Sequence, residues 1–252
     1  MIARDRATAP AAGPPWAILA LAGAALVALV AWGASPYARY LDHDYQPASA
    51  AGQAGATVAF VAGWALMIAA MMLPTATALL QAVGRLGRDA AAARRLQLLT
   101  AAGFLATWAA VGYAFRAGDV MVHAGVDAWA WLADRPQLVG AGMLVVAGAF
   151  QFSPLKRRCL TACRSPTSFL YRHWRGRHAS RDAVRIGLAY GASCAGCCWA
   201  LMLVMFGLGT ASLGWMLGAG TVMAVEKNTA IGARLTAPLG VGLLAAAVWV
   251  AV

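Results

Sequence analysis

The chain has 252 residues, of which 62% are hydrophobic and only 12% charged, and its mean hydropathy is +0.66. A soluble domain of this length needs far more charge to cover its surface, so that class is excluded. The net charge of +11 would suit a nucleic-acid binder only if it were gathered on one face, and its distribution says otherwise.

Apolar runs near 16–34, 57–82, 97–115, 138–153, 184–207, 212–225 and 234–252 have about the length that crosses some 30 Å of hydrocarbon as helix. They predict an all-α, polytopic transmembrane bundle of about seven spans, with residues 16–252 as one domain. Connecting segments then alternate between two sides, and seventeen of the 20 basic residues fall on one of them. The exceptions are Arg39, Arg116 and Arg135. By the positive-inside rule the N-terminus is cytoplasmic, and the membrane of a bacterial cell is the inner one. The basic excess reads as topology and headgroup contact, with the lipid bilayer as partner and no nucleic acid.

In chain order, residues 1–15 are small and proline-rich and are expected to be disordered. The first run also has the look of a secretory signal, but it is longer than a usual signal core and is read as a retained anchor. The outer stretch "YARYLDHDYQP" puts Asp42 and Asp44 around His43, which offers either an outer ligand or an ordinary solvated histidine. In the second span Pro74 lacks a donor and displaces the carbonyl of Ala70, which predicts a kink near mid-membrane. The second outer loop carries Trp129 and Trp131 and reads as an interfacial helix with its indoles at headgroup level. The segment 154–182 reads as a basic cytoplasmic loop. In the fifth span Gly187, Gly191 and Ala195 recur every four residues, a row that admits a close neighbour.

Sulfur is the unusual element of the sequence. Three of five cysteines stand at Cys194, Cys197 and Cys198 in "CAGCCWALMLVM". At 100° per residue they share an arc of about 140° with Met202 and Met205. Thiolate and thioether are soft ligands that favour Cu(I). The second span adds Met67 and Met71 on one face, at a depth matching the cysteines, and the sixth adds Met216 and Met223. Methionines fill apolar cores in any case, whereas three thiols within five residues ask for a chemical role. Cysteines at i,i+3 or i,i+4 of one helix suit disulfide geometry poorly.

A second pair, Cys159 and Cys163, lies in "LKRRCLTACRSP" between Lys156, Arg157, Arg158 and Arg164. Neighbouring cations favour thiolate there, and metal capture and thiol exchange both fit. Glu226 and Lys227 close the sixth span, and an acid in such a segment is a candidate for function. No phosphate-binding glycine loop, HExxH motif, Ser-His-Asp set or pair of intramembrane histidines for haem is evident.

The pieces "MIAAMMLP" (Met67–Pro74), "LKRRCLTACRSP" (Leu155–Pro166), "CAGCCWALML" (Cys194–Leu203), and Trp215–Met216 followed by Glu226–Lys227 together resemble an uncharacterised bacterial family of predicted metal-binding integral membrane proteins. The resemblance spans roughly residues 57 to 230 and implies a polytopic membrane fold with a metal site. Relatives often carry a methionine soon after the glycine that follows the cysteines, where this chain reads "GLGTAS".

Together these readings point to copper as the cofactor or cargo. The expected metal ligands are Cys194, Cys197, Cys198, Cys159, Cys163, Met67, Met71, Met202 and Glu226. The chain would deliver the metal outward or to a partner metalloenzyme. Two other readings stay open: a transmembrane thiol–disulfide electron relay, and a structural membrane subunit whose cysteines only pack.

Overall fold

The computed structural model describes residues 16–42, 45–207, 213–229 and 231–252, and among them every regular element is a helix. In chain order these are α1 (Trp16–Gly33), α2 (Ala50–Met71), α3 (Thr77–Gly84), α4 (Ala90–Ala128), α5 (Ala130–Ala133), α6 (Gln137–Gln151), α7 (Pro154–Arg164), α8 (Pro166–His173), α9 (Ala179–Gly207), α10 (Leu213–Asn228) and α11 (Gly232–Ala251). The all-α bundle expected from the apolar runs is the observed fold. His43 and Asp44 lie outside the described residues, as does most of the "GLGTAS" stretch.

Among the described residues, five helices are long and apolar enough to cross a membrane: α1, α2, α4, α9 and α11. The pair α6 and α7 passes the same test together but bends by 65° between Gln151 and Pro154. Helix α10 has 16 residues, fewer than the ~20 that a perpendicular crossing takes.

Local chemistry sets the helix ends. Ser49, Asp89 and Ser153 each cap a helix by accepting a backbone N–H three residues on, from Gly52, Ala92 and Lys156. These are the residue types whose short side-chain oxygen reaches an orphan donor. Pro154 follows its cap directly, where the lacking N–H costs nothing.

Three expectations are corrected. Pro74 does not kink one continuous span over 57–82; it separates α2 from α3 with a 3₁₀ turn over Pro74–Ala76. The freed carbonyls are taken up locally, since Thr75 Oγ1 donates to Met72 O and Thr77 Oγ1 to Pro74 O. Most of the outer segment after residue 115 belongs to α4, which runs unbroken for 39 residues, about 58 Å at helical rise; the separate helix there is the short α5, which carries Trp131 directly after Trp129. Nor is 154–182 an irregular loop, because α7 and α8 occupy most of it.

The largest helix–helix contact joins α4 to α9. It is made by small residues, as the four-residue row implied. A side chain at Gly187 would strike the Thr100 carbonyl, and one at Gly191 would press on Thr107 and on the Phe104 carbonyl. From the other side, Gly103 meets the backbone of Val184 and Leu188. Without a Cβ the two backbones approach, and dispersion contacts replace side-chain packing. Thr107 Oγ1 adds a hydrogen bond across the seam to Leu188 O at 3.1 Å. Helix α11 meets α6 in a similar way through Gly148 and Gly240.

Candidate sulfur and lysine site

Helix α7 brings the two cysteine groups together. After the bend it lies against α9 and α10, and its inward face is Lys156, Leu160 and Cys163, at i, i+4 and i+7. That spacing is one helical stripe. Cys163 Sγ stands 4.0 Å from Cys197 Sγ of α9. Cys159, half-buried, packs on Gly196, where a Cβ would come within 2.7 Å of its sulfur. The mouth pair and the deep trio, expected at two depths, therefore form one continuous cluster. Tyr190 fixes the end of α7 from α9, its hydroxyl donating to Cys163 O at 2.9 Å.

Within α9, Cys194, Cys197 and Cys198 are all fully buried or nearly so. The Cys197 and Cys198 thiols both donate to the Cys194 carbonyl, at 3.1 and 2.8 Å. Cys194 Sγ faces a different partner, Lys227 Nζ of α10, at 2.7 Å. The same ammonium reaches Met72 Sδ at 3.6 Å and Thr75 Oγ1 at 3.4 Å. The break at Pro74 is what turns Met72 and Thr75 toward α10.

Glu226, an expected ligand, is already engaged. Both its oxygens accept from Lys156 Nζ, each at 2.9 Å, in a pair almost wholly removed from solvent. Arg164 Nη1 of α7 donates to the Glu226 carbonyl at 2.7 Å. These contacts pin α7 to α10 over the thiols. They also redirect three of the four cations expected beside Cys159 and Cys163, because Lys156 and Arg164 point at Glu226 and Arg157 donates to Phe152 O, which leaves Arg158 near Cys159. Lys227 is the cation that touches a thiol.

The remaining sequence candidates surround this cluster. Met202 is completely buried, Met67 and Met71 nearly so, and Met72, Met205, Met216 and Met223 share the same core. Met67 and Met216 line a cavity of about 330 Å³ together with Phe60, Trp64 and Leu41. A second cavity of about 330 Å³ runs past Met71, Met216, Thr75 and Asn228. All five cysteines are unpaired. Among the described residues, no group of three or more His, Cys, Asp or Glu side chains stands in metal-holding geometry. Gathering the thiols around one ion requires Cys197 and Cys198 to leave the Cys194 carbonyl and Lys227 to release Cys194.

Sequence reasoning passed over Thr75 and Tyr190, and it read Lys156 as a neighbour of Cys159 and Cys163, not as the partner of Glu226. A signal for the lysine was present: the chain has only two lysines, Lys156 and Lys227, and its other eighteen basic residues are arginines. Both lysines are buried in this cluster, at 0% and 5% exposure.

A family model described as PpoB2, copper chaperone, matches residues 61–250, a stretch that takes in every cysteine and both lysines. No curated protein and no solved structure matches the chain.

Proposed function

Because the chain belongs to the PpoB2 copper-chaperone family, we propose that it is a multi-pass protein of the bacterial inner membrane, N-terminus cytoplasmic, that hands Cu(I) to a partner metalloenzyme. Cu(I) is the cargo. It is received at Cys159 and Cys163, then held by Cys163 and Cys197 with Cys194 or Cys198, and Met72, Met71, Met202 and Met67 supply thioethers along the way outward. The single observation that carries this reading is the 4.0 Å approach of Cys163 to Cys197, which joins the thiols of α7, from half-buried Cys159 to buried Cys163, to the buried trio of α9. Thiolate and thioether donors suit a soft monovalent ion, and the one carboxylate nearby, Glu226, is already engaged by Lys156. Glu226 acts through structure in this scheme: paired with Lys156, it holds α7 over the site.

The test is metal analysis of protein purified from copper-fed cells, set beside a Cys194/Cys197/Cys198→Ser variant. Copper is expected in the first and not the second, with an absorption edge and bond lengths of sulfur-bound Cu(I). Equal copper in both would sink the proposal. The same 4.0 Å pair also supports the thiol–disulfide relay, in which Cys163 and Cys197 would exchange between dithiol and disulfide. Alkylation separates the two: a relay shows an interconvertible Cys163–Cys197 disulfide under oxidising and reducing conditions, while a copper site shows thiols protected by Cu(I).

A further inference from the structure

Lys227 is a buried cation without an acid. It is 5% exposed, Glu226 beside it is taken by Lys156, and no carboxylate pairs with it among the described residues. Its ammonium instead contacts a thiol sulfur, a thioether sulfur and a hydroxyl, those of Cys194, Met72 and Thr75. A buried charge so placed is costly unless its surroundings are arranged for a positive ion. Two of the three atoms facing it are the soft donors that a Cu(I) ion prefers.

We infer that Lys227 is a built-in stand-in for the cargo: its ammonium occupies the position of a monovalent metal ion, is displaced when the metal binds, and thereby sets the site's preference for singly charged soft ions. This rests on the copper reading above. At Cys194 Sγ the exchange is one positive charge for another, and each further thiol that joins the ion, Cys197 or Cys198, gives up its proton to solvent, whichever metal binds. A divalent ion brings one charge more into the same space, and the repulsion from a lysine still tethered nearby grows with the ion's charge. Discrimination against Zn(II) then comes from the lysine as well as from sulfur.

The displaced side chain has somewhere to go. Thr75, one of its three contacts, also lines the cavity of about 330 Å³ that includes Thr221 and Asn228. Those two residues are exposed, so the cavity leads from the sulfur cluster to the molecular surface. A lysine swinging from Cys194 past Thr75 exchanges sulfur contacts for the hydroxyls of Thr75 and Thr221 and the amide of Asn228. The four-carbon stem makes this possible within one residue, without helix movement.

The experiment uses the full-length protein in detergent, with Cu(I), Ag(I) and Zn(II) as probes in competition with chromophoric chelators. Lys227→Leu removes the charge without adding a sulfur. It is expected to bind Cu(I) on the order of tenfold more tightly, and Zn(II) by a larger factor, since the repulsion removed grows with ionic charge. Lys227→Arg keeps the charge and is expected to show no such gain. On the wild type, reductive methylation gives a readout that needs no mutation. With only two lysines in the chain, Ag(I) is expected to raise the reactivity of Lys227 and leave that of Lys156 unchanged.

If Lys227→Leu binds Cu(I) no more tightly than the wild type, or Lys227 stays unreactive with Ag(I) bound, the stand-in role is overturned. When copper is still lost from the triple Cys→Ser variant, that failure leaves the copper site itself intact. Should the wild type retain no Cu(I), both readings fall. If the leucine variant does not fold, the methylation result on the wild type decides alone.

Discussion

The Lys156–Glu226 pair is the contact on which the docking of α7 should depend most, and it can be tested quantitatively. Glu226→Gln removes the carboxylate charge at nearly constant volume and leaves the Lys156 ammonium at 0% exposure with no anion. Charges about 3 Å apart attract with a gross energy on the order of 6 kcal/mol at an effective dielectric of 20, against which stands the cost of stripping water from both. The net worth of such a pair is therefore small, yet breaking it from one side costs about 3–5 kcal/mol, because a lone buried charge remains. For a chain of this size that corresponds to a fall in Tm on the order of 10 °C. Replacing both partners, as Lys156→Met with Glu226→Leu, removes the charges together and should recover most of the loss, to within about 1.5 kcal/mol of the wild type. The measurement is thermal unfolding in detergent followed by tryptophan fluorescence, for both single variants and the double. In parallel, maleimide labelling of Cys163 reports whether α7 has lifted: fast in the singles, slow in the wild type and the double. The reasoning is refuted if the double variant is as unstable as the two singles combined, or if the singles lose less than about 1 kcal/mol.

Gly187→Val places side-chain atoms against the Thr100 carbonyl. That backbone oxygen cannot turn aside, so a loss of at least 1–3 kcal/mol is expected, seen as a lower denaturation midpoint, whereas Gly214→Val, whose Cβ would meet nothing within 4 Å, should be near neutral. Cys163→Ser is expected to weaken Cu(I) binding on the order of tenfold or more by chelator competition, since its sulfur adjoins Cys197. Cys159→Ser, at the half-buried edge, should slow metal uptake in stopped-flow transfer and change affinity less. Tyr190→Phe deletes the bond to Cys163 O and should cost about 1 kcal/mol, with faster Cys163 alkylation as the accompanying sign.

The apolar runs foretold the helices well because hydropathy reports directly on segments that must satisfy their backbone internally. Each of the seven expected runs contains a helix core, and Gly187 and Gly191 announced the α4–α9 seam. What hydropathy missed has a common cause. It averages over a window and so discards which face a polar residue occupies. Lys156, Leu160 and Cys163 form a helical stripe, but averaging with Arg157 and Arg158 turned α7 into a loop. The same blindness separated Cys163 from Cys197, since contact across 34 residues follows from the bend at Ser153–Pro154, which a span count does not register. Pro74 was legible as a disruption; that it ends the helix outright depends on Thr75 and Thr77 being placed to receive the stranded carbonyl groups. As for the site, the cysteines and methionines could be read from spacing. The lysine among them could be read only from its rarity beside eighteen arginines.

The glycine seam between α4 and α9 divides the molecule into a stator and its moving parts. With Gly187 and Gly191 seated against carbonyl oxygens of α4, α9 can neither roll nor slide without backbone collision, so the backbone that carries its three thiols keeps a fixed position. In the copper proposal, adjustment during loading and release would then come from rotation of the thiols and from the opposite wall. There α7 and α10 are held by side chains alone: two lysines, a glutamate, an arginine and a tyrosine. Side chains can change partners without unfolding anything. In that proposal α9 is the anvil, and the jaw that would close on the cargo is the face built from charge.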